Sequence, residues 1–127
     1  EKVEIRNFGL DRISQLDITQ KKGKKIEIDL SEYYHHAVGI ETYEKAEKVV
    51  LVCNSFQAQY LKSLPIHPSQ KIQKETKDKC YFELFVHPTN EFIMEIFKYN
   101  NTLEVKEPKW LRTEIVSRVQ DMMKSYK

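Results

Sequence analysis

The side chains best suited to chemistry in this 127-residue chain are four histidines and two cysteines. His35 and His36 are adjacent, His67 sits between Pro65 and Pro68, and His87 precedes Pro88. No histidines stand at helical i, i+4 spacing, and neither a Cys-x-x-Cys nor a His-Glu-x-x-His pattern occurs, so no metal site has spacing support. No Gly-x-Ser-x-Gly elbow is present, and the carboxylates are scattered over charged stretches with no pair set apart for acid–base work. The only glycines, Gly9, Gly23 and Gly39, cannot make a phosphate-cradling loop. The expectation is a protein that is not an enzyme and takes no cofactor. Cys53 and Cys80 lie inside apolar, strand-like runs and read as buried reduced thiols, which suits the cytoplasm. A disulfide between them requires that their strands be neighbours. In PIHPSQ, His67 and Ser69 either satisfy backbone groups and fix the entry to the next strand or contact a ligand.

The net charge of +2 makes no electrostatic case for a dedicated nucleic-acid binder. With 40% apolar and 31% charged residues the chain can bury a core. No apolar run approaches the roughly 20 residues that span a bilayer, and no signal peptide is recognisable. The sequence begins at Glu1 and reads as processed or cut from something longer.

These residues must be positioned by a rather clear succession of elements. Residues 1–28 read as extended: Val3 and Ile5 alternate with charged residues, Ile13, Leu16 and Ile18 follow more loosely, and a lysine cluster from Gln20 to Lys25 precedes Ile26 and Ile28. Two or three strands are expected, with the lysines at a hairpin tip or on a phosphate. So few large apolar groups cannot close a core alone. Residues 29–46 read as a linker: Asp29 caps a short helix with Glu32 as its box partner, and Gly39 ends it. From residue 47 the pattern sharpens. VVLVC (Val49 to Cys53) reads as a strand buried on both faces. Ser55 caps a helix with Phe56, Tyr60, Leu61 and Leu64 on one face, stopped by Pro65. A polar strand (Gln70 to Thr76) turns at Lys77-Asp78 into the apolar KCYFELFVH. A helix after Pro88 turns Phe92, Ile93, Ile96 and Phe97 inward. A fourth strand (Thr102 to Glu107) leads through Pro108 to a last helix with Trp110, Leu111, Ile115, Val119, Met122 and Tyr126 as its stripe.

The order β-α-β-β-α-β plus a helix predicts an α+β ferredoxin-like sandwich over residues 47–127. That topology places its first and third strands centrally, and these are the most apolar. The outer two carry lysine and glutamate, as edges do. Phe82, Leu84 and Val86 point to one face and Tyr81, Glu83 and Phe85 to the other. Tyr81, Phe85 and the Trp110 helix are the expected contacts with a partner chain, while Tyr81 and Phe85 as stacking platforms are the single-strand nucleic-acid alternative.

Four stretches resemble one family. EIRNFGLDRISQLDIT (Glu4 to Thr19) resembles the closing segment of a WYL domain in its Arg6, Phe8 and Asp11-Arg12-Ile13. IEIDLSEYYHHAVGI resembles the linker helix of the same proteins. LPIHPSQKI and EPKWLRTEIVSRVQDMMKSY resemble their C-terminal extension, in His67, Ser69 and Gln70 and in Pro108, Leu111 and Arg112. The Trp-Tyr-Leu motif itself is absent.

The resemblance implies the effector-sensing and dimerisation region of a bacterial transcriptional regulator. Residues 1–28 would be the last strands of an Sm/SH3-like WYL barrel. DNA would be read only through an N-terminal winged helix-turn-helix that this sequence lacks. A homodimer and a nucleotide or nucleic-acid effector at the WYL domain are the implied partners. Arg6 and Arg12 match basic pocket positions: either guanidinium can hold an anion bidentately or fasten the barrel's last strand. With His67, Ser69 and Gln70 they are the candidate ligand contacts. The alternative is a stand-alone ferredoxin-like domain that binds a small molecule or single-stranded nucleic acid.

Overall fold

The computed structural model describes residues 5–127. Its helices and strands are α1 (Leu30–Tyr33), β1 (Glu47–Asn54), α2 (Ser55–Ser63), β2 (Lys71–Glu75), β3 (Lys79–Val86), α3 (Asn90–Phe97), β4 (Leu103–Glu107) and α4 (Lys109–Ser125). The four strands form one open antiparallel sheet in the order β2-β3-β1-β4. β1 and β3 are therefore central, and their apolar composition follows from flanking strands on both sides. β2 is exposed along its whole length. Lysine-rich edges of this kind discourage pairing with other chains.

One sheet face makes the core. Val49, Leu51 and Cys53 of β1 and Cys80, Phe82 and Leu84 of β3 meet Ala58 and Leu61 of α2 and Phe92, Ile93 and Ile96 of α3. Because side chains alternate along a strand, both helices lie on the same face. Leu103, Val105 and Leu111 extend this core to β4 and the start of α4. The opposite face carries Glu83 paired with Lys71 at 3.1 Å, and Lys48 of β1 pairs with Glu107 at 3.5 Å. Val50 and Val52 are 3% exposed on that face.

Several expectations need correction. Residues 5–46 hold no strand: among the described residues of this stretch only the short turn Leu10–Arg12 and α1 are regular. An extended segment becomes a strand only when a neighbouring ladder takes its backbone groups, and none is recorded here. Val3 lies outside the described residues. The linker helix spans four residues, not the stretch to Gly39. The N-cap of α2 is Asn54, whose Oδ1 accepts from the Gln57 amide at 2.8 Å. The buried face of α2 is Ala58 and Leu61; Phe56, Tyr60 and Leu64 are exposed. Small Ala58 lets the helix approach the sheet, so the larger aromatics on the neighbouring face point to solvent. On α4 only Leu111 is buried; Val119, Met122 and Tyr126 are exposed.

Candidate functional site

The loop after α2 is built around His67, which is 6% exposed. Ser69 donates its amide to His67 Nδ1 at 3.1 Å, so Nδ1 accepts and the proton resides on Nε2. Nε2–H donates to the carbonyl of His35 at 2.9 Å. The Ser69 hydroxyl lies 2.7 Å from the same Nδ1 and accepts from the Phe85 amide at 2.9 Å. Gln70 donates to the Leu61 carbonyl at 2.7 Å and accepts from the Ile66 amide at 3.0 Å, closing the end of α2. Burial holds the His67 pKa below its usual range, with His36, His35 and His87 acting in the same direction and the His35 carbonyl opposing. The three candidates from this loop thus come together, and each satisfies backbone groups.

A second set of contacts joins the linker to α3. The Glu91 carboxylate accepts from the amides of Ile40 and Glu41 at 2.7 and 2.8 Å. Glu41 returns the bond by accepting from the Glu91 amide at 2.9 Å, and the Tyr43 hydroxyl accepts from the Asn90 amide at 2.7 Å. The first amides of α3 are therefore capped from the linker. Gly39 stands at φ +87°, and a Cβ there would lie 2.3 Å from the Glu91 carboxylate. Sequence reasoning took Gly39 as a helix end and passed over Glu91; the signal is the pair of a glycine and a carboxylate far apart in the chain.

The other candidates lie elsewhere. Arg12 has a side chain 86% exposed, 3.9 Å from Asp11. Arg6 is also exposed, in the same N-terminal stretch, the leader of residues 1–28. Phe85 meets the edge of His36 at 4.8 Å, so the linker takes part of this sheet face. Tyr81 is half-buried beneath the Lys74 ammonium, 6.0 Å from its ring centroid. Trp110 donates its indole N–H to Glu47 at 2.6 Å.

Cys53 and Cys80 are directly opposite on β1 and β3, and both are free and buried. Their strands are thus neighbours. Burial, chiefly, pushes Cys53 to about 11 and raises Cys80. Among the described residues no cluster of three or more His, Cys, Asp or Glu can hold a metal, and no helix is long and apolar enough to cross a membrane.

A groove of about 790 Å³ lies between α3, β4 and α4. Met94, Phe97, Val116, Val119 and Met122 line it, with Arg112 and Arg118 beside them. Arg112 is tied to the Val105 carbonyl at 2.8 Å and Arg118 to Glu114 at 2.7 Å, so both guanidiniums already have acceptors.

These features describe a small α/β module whose polar side chains fasten a linker to a sheet. The family model of the WCX domain matches residues 45–123, and the chain belongs to that family. The WCX domain is found at the C-terminus of WYL-type regulators. No curated protein matches the chain.

Proposed function

We propose that this chain is the effector-sensing and dimerisation region of a bacterial, cytoplasmic WYL-type transcriptional regulator, separate from the DNA-reading domain and without catalysis of its own. The observation that carries this reading is the double fastening of residues 35–43 to the WCX domain, at His67 and at Glu91. A domain joined in this way to its upstream segment passes on orientation; a loose tether would not. The sheet order β2-β3-β1-β4 with two helices on one face supports a ferredoxin-like assignment. The exposed leader, with Phe8, Leu10, Leu16 and Ile18 uncovered, supports its belonging to a WYL barrel. Arg12, with an exposed guanidinium, is the candidate for an anionic, nucleotide-like effector. The α3–β4–α4 groove is the proposed contact with a second copy, because five exposed or half-exposed apolar side chains there lack cover.

Nucleic-acid stacking on the sheet is less well supported, since His36 meets Phe85 and ion pairs occupy the same face. The test is to express the native reading frame that contains this chain and measure duplex-DNA binding by fluorescence anisotropy. The whole protein is expected to bind with affinity that falls steeply with salt, and the 127-residue chain is expected not to bind. A frame that encodes no DNA-binding segment would overturn the reading.

A further inference from the structure

All four histidines of the chain meet where the linker crosses the domain. His35 and His36 come from the linker, His67 from the loop after α2, and His87 from the end of β3. Ring centroids are 4.7 Å apart for His35 and His36 and 6.2 Å for His36 and His87. The His36 carbonyl accepts from the His87 amide at 2.9 Å, and His87 Nδ1 donates to the Glu44 carbonyl at 2.7 Å. His36 Nδ1 is buried with no hydrogen-bond partner. Among the described residues, the hydrogen bonds of these rings run to Ser69 and to backbone carbonyls, never to a carboxylate.

We propose that this cluster is an acid-released latch: the uncharged His67 imidazole holds the linker on the domain, and its protonation in mild acid lifts the linker while the sheet stays folded.

His67 lies between the domain on one side and the linker on the other. A proton added at Nδ1 can be accepted by the Ser69 hydroxyl, which then turns its own proton to the Phe85 carbonyl at 3.2 Å. The Ser69 amide loses its acceptor in that arrangement, and the charge stays buried. Hydration returns only when one side opens. The sheet side is closed by the apolar core, so the linker side opens first. The titratable groups facing His67 are His35 and His36 from the linker and His87 just after β3, and each adds like charge when protonated. The linker carboxylate Glu41 and its partner Glu91 are engaged with backbone amides in the α3 clasp, and Glu44 offers His87 only its carbonyl. The sign follows from proton binding. His67 is held below its usual range when docked, so the docked form binds fewer protons than the released one. Docking is therefore complete above about pH 6.5 and weakens as the pH falls through that value.

The test measures hydrogen-exchange protection of the His87 amide, which reports its bond to the linker carbonyl, in the 127-residue chain at pH 7.5 and 5.5. Leu51 and Phe82, buried in the core, serve as references, and all values are corrected for intrinsic exchange. One imidazole kept neutral by docking predicts a loss of up to about tenfold at His87 with none at the references. Protection that is equal at both pH values overturns the latch. So does an ordinary titration midpoint for the His67 ring by nitrogen NMR in the docked chain. H67Q keeps an amide donor for the His35 carbonyl and removes the titration; it is expected to abolish most of the pH dependence, and full dependence in that variant overturns the assignment to His67. Should H67Q not fold, the ring titration of the unaltered chain decides.

Discussion

Gly39 shows how much one residue can contribute through what it lacks. Its φ of +87° is strained for any side chain, and a Cβ would meet the Glu91 carboxylate at 2.3 Å. G39A is expected to weaken the linker clasp by ~2 kcal/mol, combining backbone strain and displaced carboxylate. The check is loss of amide protection at Ile40 and Glu41 with the core amides unchanged. Legibility was uneven at this scale. His67 and Ser69 as backbone-satisfying residues were readable because prolines on both sides imply a rigid loop with groups to satisfy. Glu91 was not, because its partners lie in the linker, far along the chain. The cysteines give a second residue-level prediction. With Cys53 pushed to about 11, only about a thousandth of it is thiolate at pH 8, so its alkylation in the folded chain should run at least a hundredfold slower than in urea. Folded-state values raised above the unfolded one favour the folded chain below about pH 9, and stability should decline as pH rises from there toward 11. Equal alkylation rates with and without urea would contradict the burial of both thiols.

Among the elements, the sheet was the most legible part. Continuous apolar composition in β1 and alternation in β3 reflect burial on two faces and on one, and the observed burial follows both patterns. Helix faces were less so, because apolar residues on a short helix do not reveal which of two neighbouring stripes fits closely. In α2 the nine residues offer Ala58-Leu61 and Phe56-Tyr60-Leu64, and the smaller stripe is buried. L61A should cost ~3 kcal/mol by leaving a cavity against Phe82 and its neighbours, while Y60A should cost less than ~1 kcal/mol. Chemical denaturation of both variants decides: a larger loss for Y60A would reverse the facing of α2. The leader failed for a different reason. Alternating apolar residues describe an edge that awaits partners, and strand formation belongs to the pair rather than to the segment.

For the whole molecule, what remains uncovered matters most. α4 is seventeen residues long, yet it buries only Leu111; Val116, Val119, Met122 and Met123 stay exposed along its outer half beside the α3–β4 groove. The gathering of four histidines was not legible in sequence, since it arises from the packing of distant segments. An apolar stripe continuous with an apolar groove suits a two-fold pair, in which each copy offers the same surface to the other. Since these side chains are half-exposed in the single chain, replacing them does not open a cavity in its core. V119E/M122E would place two carboxylates from each copy in the proposed contact, and burying unpaired charge there should weaken association by a hundredfold or more, about 3 kcal/mol. Sedimentation across a concentration series should show the unaltered chain moving from monomer to dimer, the variant remaining monomeric, and both melting within a few degrees of each other when dilute. Unchanged association in the variant would move the contact away from α4, leaving Trp110 or the sheet face carrying Tyr81 as the surface to alter next.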